Sequence, residues 1–164
     1  MTKLFPLVTF DEILLEQANN ALLAWGHKMG PINRPMNGSV VSGGGDTAHG
    51  LMFEGELVAV TTTSTLIRSN VAARPDLNRT NTIELSRLCS CSPHLCRVAL
   101  RLWREFVFKP LQIPFAISYQ DKKLHTGATY KNDGWSRIGE SRSGPDTRSG
   151  RQGRSKVIWM YAAD

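Results

Sequence analysis

The sequence predicts one domain of the α/β (α+β) class, with a mixed, mostly antiparallel central sheet flanked by helices. The chain has 164 residues, which is the length of a single domain of roughly 100–200 residues. Several short runs are rich in β-branched and aromatic residues, whereas only two long stretches carry apolar residues at helical spacing. The runs and stretches alternate without an internal repeat, which favours one sheet with helices packed on it.

The N-terminal part begins with a predicted helix. Residues 9–12 have the S/T-x-x-E form of a capping box, and apolar residues recur at helical spacing from Ile13 to Trp25. We therefore expect a helix from about residue 10 to residue 24, ended by Gly26. Residues 26–47 are rich in Gly, Pro, Asn and Ser and predict a long loop.

The middle of the chain predicts a hairpin, a central strand and a long helix. Residues 50–53 and 56–63 are β-rich, and Glu54-Gly55 between them is typical of a tight turn. A polar loop over 68–81 precedes a strand over 82–89, whose alternation slips by one residue after Leu85, as a β-bulge would produce. Pro93 suits the first turn of a helix that the apolar stripe extends to about residue 108.

The C-terminal part predicts three further strands. They cover residues 115–119, 135–141 and 157–161, and a short helix closes the segment 121–132. Residues 142–156 are rich in Gly, Ser and Arg and predict an exposed arm.

The charge is unevenly distributed. The chain carries a net charge of +6 with a pI near 9.5, and the excess of basic residues begins after residue 60. This pattern fits a polyanionic partner or a phosphorylated cofactor, and a solubilising surface explains it equally well. No apolar run is long enough to cross a bilayer and no secretory signal is visible, so we expect a cytoplasmic protein that is not bound to a membrane.

The three cysteines lie within eight residues of one another. An odd, local set is a poor disulfide framework, which favours a reducing compartment. Together with His94, the cysteines suggest a metal cluster, but the spacing is cramped for zinc. We expect no metal site and interpret the thiols as small core residues. The set is Cys89, Cys91 and Cys96.

Two regions offer candidate catalytic and anion-binding groups. The helix that begins at Pro93 has an N-terminus suited to a phosphate, although a helix that only packs on the strand explains the same residues. At the end of the next strand, Asp121 is a candidate general base and Tyr130 a candidate general acid; a turn cap and a packing residue are the alternatives. His27, at the start of the first long loop, is a candidate substrate ligand or a structural histidine.

The basic arm is the candidate nucleic-acid surface. Arginines bind phosphates, and nearby aromatic rings can stack on an unpaired base. A solvated hairpin tip is the alternative. The basic residues are Arg137, Arg142, Arg148, Arg151, Arg154 and Lys156, with Trp135, Trp159 and Tyr161 as the aromatic neighbours.

The order of elements resembles the GNAT acyltransferase fold. That resemblance implies a bulged central strand, here over 83–89, with acyl-CoA in the gap between it and the next strand. It implies that the pyrophosphate lies on the N-terminus of the following helix, where residues 92–98 replace the glycine-rich loop common in that fold. The implied cofactor-binding residues are Leu88, Cys89, Arg97 and Val98.

A narrower set of motifs is similar to the phage Mom DNA-modification family. The motifs are residues 84–88, Pro93 and Arg97, 117–121, Gly127-x-x-Tyr130 and Trp135-x-x-x-Gly139, and they span about residues 49–161. The resemblance implies transfer of a methylcarbamoyl (acetamido) group to adenine N6 in DNA, which protects phage DNA from restriction, with acetyl-CoA or a related acyl or glycyl donor. It assigns function to Arg87, Ser118, Asp121 and Tyr130, and places His27 at the substrate.

Two other functions remain open at this point. A GNAT N-acetyltransferase acting on a protein or a small amine shares the fold, and a noncatalytic phage nucleic-acid-binding protein shares the charge. Transfer to DNA, transfer to another amine, and binding without chemistry are therefore the three hypotheses.

Overall fold

The computed structural model describes residues 5–32, 46–68, 70–122, 125–142 and 155–164, without the side chain of Arg142. These residues form seven strands, three α-helices, and a π-helical and a 3-10 turn that continue the second helix. The elements are β1 (Val8–Ile13), α1 (Leu15–Ala24), β2 (Thr47–Phe53), β3 (Glu56–Thr65), β4 (Thr82–Ser90), α2 (Pro93–Trp103), the π turn (Arg104–Phe108), the 3-10 turn (Lys109–Leu111), β5 (Phe115–Asp121), α3 (Ala128–Asn132), β6 (Ser136–Arg142) and β7 (Ser155–Ala162).

The strands form one sheet in the order β1-β2-β3-β4-β5-β7-β6. Neighbouring strands are antiparallel except β4 and β5, which are parallel. The predicted fold class, a mixed and mostly antiparallel sheet flanked by helices, is confirmed. The predicted turn at Glu54-Gly55 is confirmed as well, with both residues at positive φ (49° and 84°).

Each face of the sheet has its own apolar cover. On one face, α2, the π turn and α3 enclose a core that includes Trp103, Phe108 and Trp135. On the other face, α1 packs through Ala18 and Leu22, and the segment 66–81 packs beside it. The sheet is therefore the middle of three layers.

The prediction that the first helix begins at about residue 10 is wrong over the first turn of that helix. Residues 8–13 form β1, which pairs with β2 from Val8↔Phe53 to Ile13↔Ala48. The helix begins only at Leu15, where the Gln17 side chain accepts the Leu14 backbone N–H (3.0 Å). The cross-strand hydrogen bonds with β2 outweigh the local capping pattern of residues 9–12. Most of the first predicted loop lies outside the described residues.

The bulge predicted in the central strand is confirmed. In the register of β3 with β4, Thr62 pairs with Arg87 and Thr63 with Leu85, so Ser86 is the extra residue. The Ser86 hydroxyl lies 3.0 Å from the Thr62 hydroxyl and 3.2 Å from the Thr62 carbonyl, with hydrogen bonds to both. The predicted helix over 93–108 is also present, although its last turn is π-helical rather than α-helical.

None of the helices in the described ranges is both long and apolar enough to cross a membrane.

Candidate active site

The centre of the sheet is open between β4 and β5. The two strands pair only from Thr82↔Phe115 to Leu85↔Ser118, although β4 continues to Ser90 and β5 to Asp121. A bulge bends and twists its strand, which explains why the strands separate at Ser86. A cavity of about 520 Å³ occupies the gap. Past the bulge, the edge of β4 that faces β5 makes no strand pairing and lines this cavity.

An unpaired strand edge can bind an extended ligand through its backbone N–H and C=O groups. The pantetheine arm of an acyl-CoA carries amides that suit such an edge. Leu88 and Cys89 both line the cavity at this edge, and their role in cofactor binding stays a prediction. The geometry of β4 therefore fits the donor that the GNAT resemblance implies.

The N-terminus of α2 offers fewer donors than a glycine-rich loop. Pro93 has no N–H, and the N–H of Leu95 bonds to the Ser92 carbonyl (3.1 Å). Arg97 and Val98 are exposed on α2 and do not line the cavity. Any phosphate contact from Arg97 would thus be made outside the cavity.

Ser118 and Tyr130 form a buried hydroxyl pair in the cavity wall. Their oxygens are 2.9 Å apart, and the Ser118 hydroxyl lies 3.1 Å from the Leu85 carbonyl, to which it donates. Burial raises the pKa of Tyr130 to about 12, and the hydrogen bond with Ser118 offsets only part of that shift. Tyr130 therefore keeps its proton at neutral pH and can donate it.

The position of Tyr130 depends on tightly packed groups around α3. Its ring stacks on Trp159 (centroids 5.8 Å apart) and meets the edge of Trp135 (5.5 Å). The Gln120 amide accepts from the Trp159 indole N–H (2.8 Å) and donates to the His125 carbonyl. Gly127, at φ +81°, precedes α3 and leaves room for this amide. The motif residues Gly127 and Tyr130 thus belong to one packing unit.

Arg87 joins β4 to the loop that follows α1. Its guanidinium donates to three backbone carbonyls, those of Gly30 (2.9 Å), Ser86 (2.7 Å) and Met29 (3.3 Å). The side chain is 8% exposed. These bonds hold residues 29–30 beside the cavity, so the contacts of Arg87 are those of a residue that positions the loop.

The structure brings most of the predicted site residues together. Around the one cavity lie Arg87, Leu88, Cys89, Ser118, Asp121, Tyr130 and His27. Arg148, Arg151 and Arg154 lie outside the described residues, as does the side chain of Arg142, so their predicted contact with DNA stays a prediction.

Cys89 is buried and Cys96 is partly buried, as expected of core residues, whereas Cys91 is exposed, so the prediction of a core thiol is wrong for Cys91. Burial raises the pKa of the Cys89 thiol to about 11 and also raises that of Cys96, whose sulfur lies 3.1 Å from the Ser90 hydroxyl. Both thiols are therefore protonated at neutral pH, and all three cysteines are free. Within the described ranges, no three His, Cys, Asp or Glu side chains come together to hold a metal ion.

The aromatic residues near the basic arm do not form a stacking surface. Trp135 and Trp159 are 4% and 8% exposed and belong to the core beneath α2. Tyr161 packs against the Phe108 ring and under the Arg104 guanidinium. The expectation that these rings stack on a base is wrong for Trp135 and Trp159, because both rings are buried in the core.

Several residues of the cavity wall were not predicted as site residues. Trp25, Lys28 and Cys96 all line it. Trp25 is the last of the apolar residues that recur at helical spacing along α1. That spacing predicts a buried side chain, not one that lines a cavity. The presence of a tryptophan directly before Gly26, at the start of a long loop, was the one available signal.

Comparison with known proteins identifies the fold. No family model matches the chain, and no curated protein matches it. Solved structures do match the chain. A probable GNAT-family acetyltransferase from Chromobacterium violaceum superimposes with a TM-score of 0.64 at 12% identity, over 94% of this chain and 87% of that one.

Two further structures agree with the first. NAA60 of Arabidopsis thaliana, in complex with a bisubstrate analogue, gives a TM-score of 0.66 at 15% identity, over 96% of this chain and 100% of that one. The ribosomal-protein-S5-alanine acetyltransferase of Vibrio fischeri gives a TM-score of 0.63 at 9% identity, over 96% of this chain and 93% of that one. The chain therefore has the GNAT acetyltransferase fold over nearly its whole length.

Proposed function

We propose that this protein is an acyl-CoA-dependent transferase that acts on an amine. The open gap between β4 and β5, closed on one side by the Ser118–Tyr130 pair, is the observation that carries the proposal. NAA60, whose fold is similar, is known in complex with acetyl-CoA. The three free thiols fit a reducing compartment such as the cytoplasm, where acyl-CoA is available.

The cavity residues can supply the proton transfers of such a reaction. When bound, acyl-CoA supplies a thioester whose acyl group passes to the amine, so that a C–N bond forms and a C–S bond breaks. Asp121, at the end of β5, accepts the proton that the amine loses. Tyr130 donates its proton to the leaving sulfur, which its raised pKa permits at neutral pH. Ser118 holds the Tyr130 oxygen in place.

The acceptor that we propose is adenine N6 in DNA. Transfer from acetyl-CoA, as written above, leaves an acetyl group on N6, whereas a methylcarbamoyl (acetamido) group, which contains nitrogen, requires a related acyl or glycyl donor as its source. The charge of the cavity supports an anionic acceptor. Three basic side chains line the cavity, those of Lys28, Arg87 and Lys156, whereas Asp121 contributes its single carboxylate. The net charge of +6 adds a long-range attraction for DNA.

A second candidate is N-acetylation of a protein or a small amine. The structures with a similar fold include an alanine acetyltransferase of ribosomal protein S5, whose acceptor is a protein. The same Asp121 and Tyr130 would serve that reaction. A noncatalytic nucleic-acid-binding protein is the third candidate, and it would need neither group.

Mass spectrometry of nucleosides separates the three. Plasmid DNA from cells that express the protein is expected to carry a modified adenine, and the mass of the adduct distinguishes an acetyl from a methylcarbamoyl group. Asp121→Asn and Tyr130→Phe are expected to lower the modified fraction by about 100-fold or more. Tyr161→Phe, which alters a ring outside the cavity, is the matched control.

Unmodified DNA from cells that contain soluble protein would contradict the DNA acceptor. Acetyl transfer from acetyl-CoA to a peptide or a small amine would then support the second candidate. Salt-sensitive DNA binding that Asp121→Asn and Tyr130→Phe leave unchanged, without a covalent product, would support the third.

A further inference from the structure

We propose that Trp25 is the aromatic wall on which the acceptor base stacks, and that the acceptor enters as an unpaired base of a nucleic-acid strand. This inference rests on the proposed function and names the residue that recognises the acceptor. The proposed stacking residue is thus Trp25, whose ring lines the cavity, and not the buried aromatic residues near the basic arm.

The cavity is reached from both faces of the sheet. On the face of α2 and α3, its lining includes Cys96 and Tyr130. On the face of α1, its lining includes Trp25 and Met29, and Cys89 beside them belongs to the α1 core. A donor that lies along β4 from the α2 side thus leaves the α1 side for the acceptor, and Trp25 lies at that end.

The Trp25 ring is held in a fixed place. The residue ends α1, with its N–H bonded to the Ala21 carbonyl (2.9 Å), and the N–H of His27 bonds back to Leu22 (2.9 Å). One side of the ring packs on the α1 core, while the ring as a whole is only half-buried. An indole fixed in this way loses little conformational freedom when a base stacks on it.

The other tryptophans cannot take this role. Trp103, Trp135 and Trp159 are 0%, 4% and 8% exposed. Trp25 is therefore the one tryptophan that offers an accessible ring to the cavity, and a base inside a duplex must leave the stack before its exocyclic amine reaches such a site.

The surroundings of Trp25 suit the phosphates of a strand. Lys28, three residues further on, is exposed, and the Lys156 ammonium lies 3.5 Å from the Met29 sulfur on the same side. Two lysines next to an aromatic face are the combination that binds a single strand, with the backbone on the cations and the base on the ring.

Intrinsic fluorescence tests the proposal, because Trp25 is the accessible tryptophan. The protein is titrated with a short single-stranded deoxyoligonucleotide that has one central adenine, and with the same strand carrying an abasic site there. We expect the adenine strand to quench the emission and to bind about tenfold more tightly than the abasic strand. Because a Trp25 variant lacks the reporting indole, the affinities of the variants are measured by the fluorescence anisotropy of a labelled strand. Trp25→Leu is expected to abolish the preference for adenine and to bind the abasic strand as the wild type does.

Trp25→Phe keeps an aromatic ring and is the control for folding. It is expected to lose the quenching and to retain most of the preference for adenine. If Trp25→Leu folds poorly, Trp25→Gln takes its place. If the variant still binds the adenine strand about tenfold more tightly than the abasic strand, the proposed role of Trp25 is overturned, but the proposed function is not. If the wild type itself does not distinguish the two strands, the nucleobase acceptor is overturned, and the nucleoside measurement decides the proposed function separately.

Discussion

At the scale of single residues, the candidate site depends on close packing behind the reactive groups. Tyr130, the proposed general acid, is buried and hydrogen-bonded to Ser118, and burial keeps its hydroxyl protonated at neutral pH. Its ring is fixed by Trp159, which in turn bonds to Gln120. Gly127 lies against both of these side chains, since a Cβ there would approach the Gln120 oxygen to 2.6 Å and the Trp159 ring to 2.7 Å.

Two glycines with the same backbone conformation separate strain from packing. Gly127→Ala adds a methyl group at φ +81° into an occupied space, whereas Gly134→Ala adds one at φ +86° with its nearest neighbour 3.8 Å away. We expect Gly134→Ala to lower the free energy of unfolding by about 1 kcal/mol, from backbone strain alone. Gly127→Ala is expected to lower it by about 3 kcal/mol, because overpacking adds to the strain.

Urea denaturation of both variants measures the difference. Equal losses would show that the space beside Gln120 and Trp159 adjusts without cost, and the packing argument for α3 would fail.

At the scale of elements, Arg87 links two parts of the chain that the sequence keeps far apart. The bulge at Ser86 lies on the side of β4 where the cavity opens, and the next residue reaches the carbonyls of residues 29 and 30. The loop carries Lys28 and follows Trp25 directly. The shape of the acceptor side of the cavity therefore depends on a side chain from the central strand.

Limited trypsin digestion tests this link. Arg87→Gln removes the three guanidinium–carbonyl bonds, so the loop opens more often and cleavage after Lys28 is expected to be at least about tenfold faster. Arg137→Gln is the matched control, because Arg137 is exposed and pairs with Glu140 at the surface. Equal cleavage after Lys28 in both variants would show that the loop is held by other contacts.

At the scale of the whole molecule, the sheet buries polar groups far from the cavity. The His49 Nδ1 and the Thr61 hydroxyl are buried without a hydrogen-bond partner among the described residues, and the two residues face each other across β2 and β3. Burial lowers the pKa of His49 below its ordinary value of 6.5, and the carboxylates of Glu12 and Asp11 counteract only part of this shift. The neutral form of His49 therefore belongs to the folded state.

The global stability is expected to depend on pH through this residue. Because the pKa of His49 is lower in the folded state, the unfolded chain takes up the proton first, and the contribution to stability is complete above pH 6.5 and declines below it. The free energy of unfolding is expected to fall between about pH 7.5 and 5.5, and to fall less in His49→Gln. Urea denaturation at both pH values checks this, and parallel losses in the two proteins would exclude His49 as the cause.

The local patterns of the sequence predicted much of the fold and part of the site. The slip in alternation after Leu85 predicted the bulge, and the pattern over residues 121–132 predicted the short helix that carries Tyr130. The same kind of local pattern misled at residues 9–12, where a capping motif coincides with an edge strand. Spacing along the chain cannot show that β2 is available to pair with those residues.

The sequence by itself determined most of the segments that become strands and helices, the place where the central strand is interrupted, and the basic character of the chain. These features depend on neighbours a few residues apart, so the sequence carries them directly. Only the tertiary structure decided that β4 and β5 separate around a cavity, that Arg87 bonds to the loop at Gly30, 57 residues away, and that Trp25 rather than Trp159 meets the cavity. Each of these depends on contacts between segments distant in sequence, and such contacts form only when the sheet brings its layers together.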